Sequence, residues 1–157
     1  GAKGRAVVEL LRAGYQFVCC HVNAPDEASH LHDHALKIRC LERIDAELIK
    51  PVFTAIQRAP SQPHRLLVLP DHYSNSEPGI STGTRREIHT IDPVPFALWG
   101  DGRDTVAKFD EDAVRRGRYG GGEMTHLDIL DIMGAGPSRL GGAVAPTASS
   151  EIPARFG

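Results

Sequence analysis

Between Asp33 and Gln57 the apolar positions Leu36, Ile38, Leu41, Ile44, Leu48, Val52 and Ile56 recur mostly at steps of three and four, the period of an amphipathic helix. Asp33 makes a plausible cap for its start. Pro51 is expected to kink or divide it, because proline supplies no backbone N–H and crowds the preceding turn. Upstream, "KGRAVVELLRAG" carries apolar residues at Val7, Leu10 and Leu11 and stops at Gly14, which reads as a short helix with a glycine end. "YQFVCCHV" follows as a strand. "RLLVLP" is a short, almost uniformly apolar strand of the kind buried on both faces of a sheet, and "VPFALWG" is another after a long polar loop. "MTHLDILDIMG" is the last segment of helical character. Strands and helices taking turns are βαβ grammar, which predicts an α/β class.

The 157 residues, 41% of them hydrophobic, suffice for one core, so residues 1–134 are expected to form one domain or one piece of a larger one. The stretch 135–157 is rich in Gly, Ala, Pro and Ser and reads as a mobile tail. The loop from Asp71 to Asp92 is too long for a mere connector, and long ordered loops usually carry function. A net charge of -2 leaves no basic footprint for nucleic acid, and no apolar run approaches the ~20 residues that cross a bilayer. The first residues lack the charged segment, apolar run and small-residue cleavage site that would indicate secretion, so secretion is not expected. The three Cys residues form no disulfide framework, and Cys19, Cys20 and Cys40 read as buried thiols in a reducing cytoplasm.

Candidate chemistry concentrates in "HVNAPDEASHLHDH", where four His, two Asp and one Glu fall within fourteen residues. On the expected frame Asp26 and His30 lie just beyond the first strand, Asp71 and His72 just beyond the second, and His89 near the end of the loop leading to the third. In open α/β sheets ligands bind outside the carboxyl ends of the strands, so separate segments deliver Asp and His to one edge. Carboxylate oxygens mixed with imidazole nitrogens suit Zn²⁺, Mn²⁺ or a related divalent ion, and two neighbouring ions clamp both oxygens of a phosphoryl transfer. His21 reads as part of its strand, and His32 and His34 as solvated residues of a first helical turn. His64 and His126 have no constellation around them. Arg85 and Arg86 read equally well as a phosphate clamp and as surface charge. Asp92 either supports His89 or shapes the turn before Pro93. "RRGRYGGG" reads as a solvated loop. Ser29, Ser74, Ser76 and Ser81 lack the setting of a nucleophile, since a Ser beside a ligand is more often a hydrogen-bonding neighbour.

"HVNAPDEASH", "LLVLPDH" and "HTIDPVPFALWG", in that order and at these separations, resemble the C-terminal half of the cofactor-independent phosphoglycerate mutases of archaeal type, metalloenzymes of the alkaline phosphatase superfamily. The resemblance runs from about Lys3 to Met133. It implies an alkaline-phosphatase-like three-layer α/β/α fold with a mostly parallel sheet, of which only the C-terminal part is present. It also implies two divalent metal ions, Mn²⁺ first, with Zn²⁺, Co²⁺ or Mg²⁺ as alternatives. Asp26, His30 and His89 would hold one ion, and Asp71 with His72 the second. The implied substrate is a phosphoglycerate, whose phosphate passes to a Ser and returns to the other hydroxyl.

That Ser, and a further Asp ligand, have no counterpart in this chain. The missing half would lie upstream, the sheet would be incomplete with apolar surface exposed, and the chain alone would be inactive. Two departures stand out: Asn23 replaces the usual Glu, which bears on polarity around the ligands, and Ser29 replaces the usual Gly, which restricts the backbone beside His30. Two rivals remain, another phosphomutase or phosphatase of the superfamily and a non-catalytic metal-binding module.

Overall fold

The computed structural model describes residues 1–59, 63–76, 89, 92–100, 104–120, 122 and 124–134. The expected tail over 135–157 and the pair Arg85 and Arg86 lie outside the described residues. The chain divides into two compact units, one built mainly from Gly1–Gln62 and His72–Ile91, the other from Pro63–Asp71 and residues from Asp92 onward.

The first unit is helical. Helix α1, Ala2–Arg12, ends as its sequence predicts: Gly14 takes a positive φ of 89°. Its N–H donates to the Leu11 carbonyl and that of Tyr15 to the Leu10 carbonyl, so the last carbonyls are satisfied by a Schellman turn. A short helix α2, Ala24–His30, packs on α3, His34–Ile44, which Asp33 caps by accepting from the Leu36 N–H at 2.7 Å. Pro51 does not divide the helix: a π-helical turn, Asp45–Ile49, precedes it and leads without a gap into α4, Lys50–Gln57. A widened turn accommodates the ring and the missing N–H while the helix runs on. Helix α1 packs on α4 and on that π-turn. A Cβ added to Gly4 would fall 2.2 Å from the Glu47 carbonyl oxygen, so the approach requires glycine. Val7, Val52 and Ile56 are the buried apolar residues of this packing, with Ala28 buried on α2.

The second unit contains β1, Leu66–Val68, and β2, Ala97–Trp99, with Leu66 opposite Trp99 and Val68 opposite Ala97. The two expected strands form, but they pair antiparallel, so a mostly parallel sheet is not formed among the described residues. Ala97 and Leu98 are buried together with Ala113 of α5, Glu111–Val114, and Ile132 of α6, His126–Gly134. The residues of β1 are only half-buried, where burial on both faces was expected.

Further expectations fail. "YQFVCCHV" forms no strand; without a strand partner among the described residues, Tyr15 and Phe17 are exposed, and so are Cys19 and Cys20, which were read as buried. Within "RRGRYGGG", Arg115, Arg116 and Gly122 are exposed as expected, whereas residues 117–120 are half-buried: Tyr119 sits against Phe96 with ring centroids 5.7 Å apart, and the Asp104 carboxylate accepts from the Arg118 N–H at 3.1 Å. Burial pushes the Tyr119 hydroxyl above its ordinary pKa. No helix among the described residues is long and apolar enough to cross a membrane.

Candidate metal centre

The first two candidate ligands owe their alignment to α2. The Asn23 carbonyl accepts from the N–H groups of Asp26 (2.9 Å) and Glu27 (3.0 Å), Pro25 lies in the first turn, and two acids follow where the helix dipole favours them. Four residues apart on a helix, Asp26 and His30 share a face, and His30 Nε2 lies 3.3 Å from Asp26 Oδ2. They therefore stand on a helix and not in the loop behind a strand. The signal was present in the sequence: Asn, then Pro and two acids, is a helix start.

Helix α2 must end abruptly to free its C-terminal face. It does so through a second Schellman turn, with His32 N–H donating to the Ser29 carbonyl and Asp33 N–H to the Ala28 carbonyl, and with His32 at φ 53° in the position glycine usually occupies. Ser29 itself is helical and fully buried, so the absence of Gly there strains nothing. Asn23 makes no side-chain cap. His32 and His34 are both exposed as expected, and His34 Nδ1 is in addition hydrogen-bonded with the Ser76 hydroxyl at 2.9 Å.

His89 enters through an antiparallel bridge to Ser74. Its Nε2 lies 3.1 Å from Asp26 Oδ1 and 3.2 Å from His30 Nε2. Two imidazole nitrogens this close beside a carboxylate either share a proton or direct their lone pairs at a common cation. His72 stacks on His89, with centroids 4.0 Å and planes 23° apart. Ligand atoms of Asp26, His72 and His89 all lie within 4.8 Å of one another. Four of the five candidate residues, Asp26, His30, His72 and His89, thus come together in the first unit. Asp71, directly before His72 in sequence, is exposed and belongs to the second unit.

Two polar neighbours complete the centre: Ser74, which the sequence reading took for a hydrogen-bonding neighbour without a partner named, and Lys37, which it passed over. The Ser74 hydroxyl donates to Asp26 Oδ1 at 2.5 Å and holds the Asp26 carboxyl below its ordinary pKa; burial opposes this, and His89, His30 and His72 reinforce it. The Lys37 ammonium, whose pKa burial lowers against the pull of Asp26, donates to the Ser74 carbonyl. Nothing in local sequence pattern marks either contact, which joins segments far apart in the chain.

Several curated relatives match most of the chain. A protein of Methanothrix thermoacetophila named 2,3-bisphosphoglycerate-independent phosphoglycerate mutase is 37% identical over 134 residues, 84% of this chain and 32% of its own length. A second, from Methanothermobacter thermautotrophicus, is 38% identical over 141 residues, 88% of this chain and again 32% of the relative. A probable enzyme of that name from Geobacter sulfurreducens is 34% identical over 116 residues, 72% of this chain and 26% of the relative. The chain therefore spans about a third of the length of the relatives it matches. No solved structure matches it significantly. The family model described as Metalloenzyme superfamily matches residues 2–136, nearly all of the described chain. That match supports an α/β class and divalent metal binding, and the Asp and His groups gathered around α2 are of the donor type such binding needs. The chain belongs to the Metalloenzyme superfamily.

Proposed function

We propose that this chain is the metal-binding C-terminal part of a 2,3-bisphosphoglycerate-independent phosphoglycerate mutase, an isomerase that interconverts 3-phosphoglycerate and 2-phosphoglycerate. The carrying observation is the convergence of Asp26, His30 and His89, with their ligand atoms 3.1 to 3.3 Å apart, in a chain whose relatives bear that name. Residues 1–134 are the enzymatic part in this reading, supported by the family match over 2–136. The complete enzyme would have the three-layer α/β/α fold with a mostly parallel sheet, and a cytoplasmic setting suits a glycolytic reaction.

Asp26, His30 and His89 would hold one divalent ion, Mn²⁺ before Zn²⁺, Co²⁺ or Mg²⁺, and Asp71 with His72 the second. The donor set fits: one hard carboxylate oxygen balances two imidazoles, a mixture these ions accept. His72 stacks on His89, which brings the ligands assigned to the two ions next to each other. Ions so held stabilise charge on the transferring phosphoryl oxygens and lower the pKa of the attacking group. The chain's own residues do the holding: α2 fixes the Asp26 and His30 spacing, and the Ser74–His89 bridge brings His89 onto them. The phosphate of the substrate would pass to a Ser supplied by sequence outside this chain and return to the other hydroxyl of glycerate.

A coupled mutase assay with Mn²⁺ tests this. The chain alone is expected to show no turnover, and turnover is expected once the N-terminal part of the enzyme is supplied, with His30→Ala or His89→Ala then abolishing it. Activity that survives in both His variants would remove these residues from the centre. Turnover by the isolated chain would refute the need for an outside nucleophile. Hydrolysis of phosphate esters without mutase activity would assign the chain to another branch of the superfamily.

A further inference from the structure

Ser74 has no ligand role in the reading above, yet it is bonded to several elements around the centre. Its backbone pairs with His89 in the antiparallel bridge, and its carbonyl accepts from the Lys37 ammonium of α3; the buried Ser29 hydroxyl of α2, whose one proton has the Pro25 carbonyl as its nearer acceptor at 3.0 Å, lies 3.4 Å from the same carbonyl. From this anchored position the hydroxyl reaches Asp26 Oδ1 at 2.5 Å and His72 Nδ1 at 3.2 Å.

The direction of these bonds follows from counting protons. A hydroxyl has one proton to give, and an ionised carboxylate can only accept. The Ser74 proton therefore goes to Asp26, and the Ser74 oxygen accepts from His72 Nδ1–H. The second neighbour of Nδ1 is the Tyr73 carbonyl oxygen at 3.3 Å, which also only accepts. Both neighbours place the ring proton on Nδ1 and leave the lone pair on Nε2.

We propose that Ser74 is a positioning residue of the metal centre: one hydroxyl orients the Asp26 carboxylate and, by accepting from Nδ1–H, presents His72 with Nε2 as its ligand atom. The inference rests on the metal-binding reading above. A ligand whose other polar atom is fixed loses less freedom when it binds an ion and is held in the right tautomer beforehand, which is why such outer partners typically contribute about 10–100-fold in metal affinity.

The test compares the 157-residue chain with its Ser74→Ala, Ser74→Thr and Asp26→Ala variants. Mn²⁺ affinity is measured by calorimetry, folding by circular dichroism, and the His72 tautomer by long-range ¹H–¹⁵N spectra of the metal-free wild type at a pH well above the usual imidazole value of about 6.5. Ser74→Ala is expected to keep its helical spectrum and bind Mn²⁺ about 10–100-fold more weakly. Ser74→Thr, which retains the hydroxyl, should bind close to wild type, and His72 should show the Nδ1–H pattern. Undiminished binding by a folded Ser74→Ala, or an Nε2–H pattern for His72, overturns the proposal. The tautomer measurement requires no variant, so unfolding of Ser74→Ala leaves the proposal exposed to it. Absence of Mn²⁺ binding in the wild type overturns the metal centre itself, whereas loss in Asp26→Ala with none in Ser74→Ala removes Ser74 alone.

Discussion

His89 Nε2 lies 3.1 Å from Asp26 Oδ1 although α3, α4 and β1 intervene between the two residues in sequence. The contact is long-range and polar, and His89 and Asp26 keep part of their side chains in solvent, 44% and 33%. An exposed ion pair of that kind contributes only about 0–1 kcal/mol. The arrangement therefore makes more sense as a prepared ligand set than as a device for stability.

The proposed ligand set predicts which side chains matter to an ion and which neighbouring histidines do not. Asp26→Ala, His30→Ala and His89→Ala should each sharply weaken Mn²⁺ binding in calorimetric titration, while His32→Ala should leave it unchanged. His32 is exposed and occupies a helix-terminating position. A His32→Ala variant that loses the ion would redraw the site.

Acid should destabilise the metal-free chain through Asp26. Its folded-state pKa is depressed, with the Ser74 hydrogen bond the largest cause and the three imidazoles adding to it against burial. A depressed carboxyl contributes stability that is fully present above its unfolded value of about 3.9 and is lost as pH falls through the lower folded value. Urea midpoints measured from pH 6 downward should therefore fall less steeply in Asp26→Asn than in wild type over the most acidic part of the range. Parallel curves would show that Asp26 is not linked to folding.

Those two predictions rest on contacts of different legibility. The long helix, the cap at Asp33 and the glycine end at Gly14 follow from periodicity and from residues with restricted backbones, and all are present, while Pro51 is met by a widened turn instead of a break. Strand reading fared less well. An apolar run such as "YQFVCCHV" specifies only that the segment suits a sheet; whether it joins one depends on partners, and none pairs with it among the described residues. The direction of the β1–β2 pairing was equally illegible, because register and direction belong to two segments jointly. In the site, residue types with ligand chemistry could be picked out one by one. Lys37 could not, and Ser74 could be read only as some ligand's neighbour without its partners, since a hydroxyl and an ammonium acquire their roles only from what the fold sets against them.

Gly4 offers a test of the helix packing. A Cβ at this position would stand 2.2 Å from the Glu47 carbonyl oxygen and 3.2 Å from Leu48 Cα, both backbone atoms with no side-chain freedom to retreat. Gly4→Ala should destabilise the chain by about 1–3 kcal/mol, the usual range for overpacking, despite the higher helix propensity of alanine. Chemical denaturation followed by circular dichroism would reveal it; a stabilised variant would mean that α1 does not pack as closely on the π-turn.

His32 provides the opposite case, a position where the natural residue is the unfavourable one. The Schellman turn that ends α2 holds His32 at φ 53°, while the corresponding turn after α1 uses Gly14 at φ 89°. A left-handed backbone costs an L-residue roughly 1–2 kcal/mol. Glycine avoids that cost but brings a more flexible unfolded chain, which offsets about 0.4–1 kcal/mol of the gain. His32→Gly should therefore raise stability by about 0.5–1 kcal/mol net, and Gly14→Ala should lower it. Because α2 carries Asp26 and His30, a firmer end to that helix should leave Mn²⁺ affinity equal or slightly higher, not lower. Urea unfolding with and without Mn²⁺ measures both quantities at once. A His32→Gly variant that is less stable and also binds the ion more weakly would show that the imidazole at this turn does more for the centre than terminate a helix.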